Sequence, residues 1–123
     1  MSATHELLWS RCHDDGERFS HDGRYLQAEA AFEAALGHAR AARIEDARLA
    51  ATFFQLALLA QRSGRVARAL ELYERARTTE ERALGPDHPY VALIRHAQTA
   101  LARRACAVRP PRRSVLSPEA AVA

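Results

Sequence analysis

The chain repeats itself. The segment GRYLQAEAAFEAAL, from Gly23, superposes on GRVARALELYERAR, from Gly64, at an offset of 41 residues. Gly23 meets Gly64, Tyr25 meets Val66, Ala28 meets Ala69, Phe32 meets Tyr73 and Ala35 meets Ala76. Small residues fall on small ones and large apolar ones on large apolar ones. A repeat of this length is one supersecondary unit, which buries its apolar face only by stacking on a neighbour.

The unit reads as a helix hairpin. Gly23 and Gly64 supply the positive φ that ends one helix and turns the chain into the next. Tyr25, Ala28, Phe32 and Ala35 form one apolar stripe at helical spacing, and Val66, Ala69, Tyr73 and Ala76 repeat it. Ala28 and Ala69 are small where a partner helix has to come close. Gly and Pro number only five each, too few for many short strands, while abundant Ala with little Val or Ile favours helix. Helices are expected at about 5–21, 24–42, 46–62, 65–84 and 89–105. Thr4 is the expected N-cap of the first, with Glu6 in its first turn. In GPDHP at 85–89, Pro89 suits a first helical turn and Asp87 is the expected cap. The expected fold is all-α, an α-solenoid of antiparallel helix hairpins. Residues 1–105 form the repeat domain, with repeats at about 8–42 and 47–84 and a closing helix at about 89–105. Residues 106–123 read as a disordered basic Pro/Arg tail, through VRPPRRSVLSPEAAVA from Val108.

Charge and cysteine content bound the function. Residues 1–102 hold 13 Arg against 14 Asp plus Glu, and residues 103–123 hold five Arg against one Glu. The positive surplus sits at the C-terminal end, so a cationic face for duplex nucleic acid is not expected on the body. There is no Lys and no Asn; G+C-rich codon bias accounts for this without a nucleic-acid role. The best apolar window, Ala47 to Ala60, is too short and carries Arg48 and Gln55. The N-terminus lacks the basic head and long apolar run of a signal peptide. A cytoplasmic location is expected, with Cys12 and Cys106 read as reduced thiols rather than a disulfide.

These residues look like tetratricopeptide repeats. The family pattern of a bulky apolar residue, Leu, a small residue and an aromatic on the first helix, then Ala and an aromatic on the second, falls on this chain twice. The first copy reads Cys12, Asp15, Gly16, Phe19, then Ala28 and Phe32. The second reads Phe53, Leu56, Ala57, Ala60, then Ala69 and Tyr73. Ala35 and Ala76 match the last small position. The spacing of 41 exceeds the common 34 and resembles the longer variety of kinesin light chains and their bacterial relatives, in which LYERA…ALGPDHP is a typical run. The run here is LYERARTTEERALGPDHPYVALIRHAQTALARR, from Leu72. The resemblance covers about residues 8–104. Asp15 stands where the family prefers Leu, and the family's groove-lining Asn residues are absent. HEAT-like repeats have similar lengths and remain the alternative; either is a stack of helix pairs.

The resemblance implies a groove lined by the first helix of each pair. Its positions carry over to His13, Glu17 and His21, to Phe54, Leu58, Gln61 and Arg62, and to Arg95, Thr99 and Arg103. A non-catalytic adaptor is expected, holding an acidic or C-terminal peptide with Arg62, Arg95 and Arg103 near its carboxylates. The alternative is a regulatory module acting with a transcription factor or sensing a peptide, the basic tail contributing contacts. The third helix is apolar nearly all round, as a middle helix or a self-association surface would be, so a homodimer is a further expectation. No metal, cofactor or catalytic residue is expected. His13, Glu17 and His21 share a helix face that reads as solvated or groove-lining rather than metal-binding. Neighbouring Cys12 and His13 point apart on a helix, and the glycines form no phosphate-binding loop.

Overall fold

The computed structural model describes residues 2–108, which form five helices and, among the described residues, no strand. They are α1 (Ser2–His21), α2 (Tyr25–Ala41), α3 (Ala47–Arg62), α4 (Val66–Leu84) and α5 (Pro89–Val108). α1 pairs with α2 and α3 with α4, α2 packs on α3, and α5 closes on α4. The architecture is the expected all-α stack of hairpins. Three local expectations are corrected. α1 begins at Ser2, so Thr4 lies within the helix rather than at its cap; nothing in Ser2–Thr4 opposes helical φ and ψ. α5 runs to Val108, past the expected start of the tail at 106. The rest of the expected tail, 109–123, lies outside the described residues. The side chain that caps α5 is that of His88, whose Nδ1 accepts the Tyr90 N–H at 3.1 Å, not that of Asp87.

The two hairpin bends are copies of each other. Gly23 and Gly64 both have φ of 80°. The following amide donates five residues back in each case, Arg24 to the Phe19 carbonyl at 2.8 Å and Arg65 to the Ala60 carbonyl at 2.9 Å. This bond takes up a carbonyl that the helix end leaves open. Directly after the bends, Ala28 and Ala69 are both fully buried, so both occupy tight helix crossings. The bend from α2 to α3 uses Arg43 at φ 56°, where an ordinary side chain is strained. Asp46 then caps α3, accepting the Arg48 N–H at 2.9 Å.

The main core runs through the stack. Phe32 and Leu36 of α2 meet Phe53, Leu56 and Leu59 of α3, Leu72 and Tyr73 of α4, and Ile94 and Leu101 of α5. α3 is buried on more than one side because it is the middle helix; only Leu58 among its large apolar residues is exposed. Gly16 takes the small position of the first repeat for a steric reason. A Cβ there would stand 2.7 Å from the Phe32 ring. Ala57, its counterpart 41 residues on, is fully buried as well. Asp15, where a Leu was expected, stays partly exposed and pairs with Arg18 instead of packing. Cys12 and Cys106 are both free thiols.

Candidate functional site

The residues carried over from the groove pattern divide among several surfaces. His13 leaves the exposed set altogether. Its Nδ1 lies 3.2 Å from Thr52 Oγ1 on α3. Its ring stacks on Trp9 at 4.9 Å and meets the edge of Phe32 at 5.2 Å. Only 7% of the residue is exposed, and burial holds the imidazole below its ordinary pKa, against the pull of Glu17 and Asp14. His13 is a core contact between α1, α2 and α3. Its Nε2 is 3.4 Å from Glu17; Glu17 and His21 remain on the surface.

On α3, Leu58, Gln61 and Arg62 do share a site. They line a cavity of about 450 Å³ with Leu59 of the same helix, Tyr25 at the start of α2 and Arg104 on α5. The Arg62 guanidinium lies over the Tyr25 ring, 4.5 Å from its centre, a cation–π contact that holds the charge in place. Gln61 is oriented from below. The buried Tyr73 hydroxyl donates to its Oε1 at 2.7 Å, which leaves the amide nitrogen to donate elsewhere. Phe54, the fourth residue on this helix, points to a different hollow with Tyr90 and Leu93.

The α5 candidates lie apart from that cavity. Arg95 is drawn to Glu81 of α4, 3.4 Å away. Thr99 and Arg103 open on a broad hollow with Gln98 and Cys106. The α5 arginine that reaches the Arg62 cavity is Arg104, one residue on from the one carried over. Adjacent helical residues differ by about 100° around the axis, so a one-residue error selects another face. Ser20, Tyr25, Gln55 and Leu59 also line the cavity without having been carried over; Tyr25 is brought in by the Gly23 bend, which returns the start of α2 to the end of α1. Chemically, the cavity offers two guanidinium groups and an amide donor beside Leu58, Leu59 and Tyr25. That set suits a carboxylate joined to an apolar side chain.

Residues 48–107, spanning α3 to α5, match the family model described as tetratricopeptide repeat. This segment is a tetratricopeptide repeat. The first hairpin lies outside the match but reproduces the bend and the buried Ala of the second, so the two hairpins share one helical-repeat geometry. No curated protein and no solved structure matches the chain significantly. Tetratricopeptide repeats generally mediate protein–protein interaction and are typically non-catalytic modules. Among the described residues, no helix is long and apolar enough to cross a membrane.

Proposed function

We propose that this protein is a non-catalytic adaptor that holds an acidic or C-terminal peptide segment of a partner protein. The observation that carries the reading is the cavity shared by Arg62 and Arg104, with Gln61 as a donor and Leu58, Leu59 and Tyr25 as apolar walls. A peptide carboxylate pairs with the two guanidiniums while its side chain covers the apolar wall. Arg62 with Arg104 replaces the set Arg62, Arg95 and Arg103, because Arg95 is engaged by Glu81 and Arg103 opens on another hollow. The 41-residue spacing supports the longer-repeat variety that resembles kinesin light chains.

The test presents a peptide library to the full chain, each sequence with a free and with an amidated C-terminus. Free-carboxylate and acidic peptides are expected to be retained. Hydrogen bonds to charged groups contribute roughly 1.5–3 kcal/mol, so the double variant R62A/R104A is expected to weaken binding about ten- to a hundredfold. Unchanged affinity in the double variant removes the proposal.

A further inference from the structure

Repeat symmetry shows a place where the second hairpin lacks what the first one carries. In the first, Trp9 fills the crevice between α1 and α3. Its indole N–H donates to Thr52 Oγ1 at 2.9 Å, its ring stacks on His13, and it packs with Ala39 and with Leu49. Moved by 41 residues, Trp9 becomes Ala50, His13 becomes Phe54, Thr52 becomes Leu93, Ala39 becomes Glu80 and Leu49 becomes Tyr90. All five of these counterparts line one hollow of about 320 Å³ between α3, α4 and α5. Where the first hairpin holds an indole, the second has an alanine and a space.

The polar end of that space is also unmatched. In the first hairpin the indole N–H has its acceptor, Thr52. In the second, Leu93 offers none, and the acceptor is the carboxylate of Glu80. Glu80 is 5% exposed, and its buried Oε1 has no hydrogen-bond partner among the described residues. A buried acceptor left unpaired is unfavourable, and a donor brought in by a ligand relieves it. Burial pushes the carboxyl of Glu80 above its usual range, with His88 opposing; either protonation state keeps an accepting oxygen.

We propose that this hollow binds a small, planar, two-ring aromatic molecule carrying one ring N–H, of the indole class, with the N–H directed at Glu80 and the rings against Phe54 and Leu93. A mostly apolar concavity with one placed polar group is the usual form of a small-molecule site. Residues 1–123 offer no indole of their own for it: Trp9 is their one tryptophan and is buried, and residues 109–123 contain no aromatic. The hollow is separate from the Arg62 cavity, so its ligand does not depend on the peptide proposal.

The experiment is an amide NMR titration of the full chain with indole and with 1-methylindole, which has the same rings but no N–H. Saturable shifts at Phe54, Tyr90 and Leu93 are expected with indole, and several-fold weaker binding with 1-methylindole. Glu80→Leu is expected to bring the two ligands to equal affinity. Ala50→Trp, which fills the space from within, is expected to abolish binding, and Ala50→Leu to weaken it should the larger residue unfold the chain. The proposal is overturned by no saturable response to indole, by equal affinity for both ligands in the unsubstituted protein, or by binding left undiminished by substitution at Ala50. A response to a tryptophan-containing peptide with none to free indole also overturns it.

Discussion

Two glycines in helices show how position decides the sign of a substitution. Gly16 faces Phe32, whose ring carbons stand 2.7–2.8 Å from where a Cβ would be. Phe32 is fully buried and has His13 at its edge, so it has nowhere to move. Overpacking of this kind costs about 1–3 kcal/mol, against a gain of about 1 kcal/mol in helix propensity. G16A is expected to lower stability by roughly 1 kcal/mol in a denaturant titration. Gly37 is exposed on α2 with nothing within 4 Å of its Cβ position. G37A is expected to raise stability by about 0.5–1 kcal/mol, and a loss there would contradict the helical placement. His13 sets a pH dependence. Its folded pKa lies below the ordinary imidazole value, so the unfolded chain takes up the proton first. Stability is full above the unfolded value of about 6.5 and is lost as pH falls from there towards the folded pKa. His13→Phe, which copies Phe54 in the second hairpin, is expected to flatten the thermal midpoint across that window.

At the scale of helices, caps and bends do the positioning. Asp46 accepts the Arg48 N–H at the start of α3. Its carboxyl is held below the usual range by the Arg48 side chain, with the backbone bond assisting. The cap is therefore present above the ordinary carboxylate pKa and fails as acid titrates through the lowered one. Asp46→Ala is expected to cost about 1 kcal/mol at neutral pH, with the difference from the unsubstituted protein disappearing in acid. Glu81 pairs with Arg77 on its own helix, both side chains half-buried, and with the exposed Arg95 of α5; i,i+4 pairs and pairs with an exposed partner each contribute little. Packing, not charge, holds the helices in register.

For the whole molecule, α5 is the element that completes the stack. Its Val91, Ile94 and Leu101 are buried, each contributing roughly 1.5–3 kcal/mol. Together they approach the total stability of a small domain, roughly 5–15 kcal/mol. A chain ending before Pro89 is expected to lose its cooperative melting transition by circular dichroism. A sharp transition in the truncated chain would show that the two hairpins stand alone. The same helix supplies Arg104 to one cavity and Leu93 to another, so the loss would remove both proposed sites.

Local chemistry in the sequence determined the hairpins. Glycine is the residue that enters positive φ without strain, so Gly23 and Gly64 marked both bends, and the 3.6-residue stripe through Ala28 and Phe32 marked the buried face. These are contacts between residues a few positions apart, and the chain spells them directly. Tertiary structure decided which residues on each helix meet another helix and how deeply. His13 is buried against Thr52, 39 residues away; Arg104 rather than Arg103 lines the Arg62 cavity; Ala50 and Glu80 border a hollow at the positions that Trp9 and Ala39 take in the first hairpin. Each outcome depends on the rotation and crossing of neighbouring helices, and that is settled by the packing of all five at once.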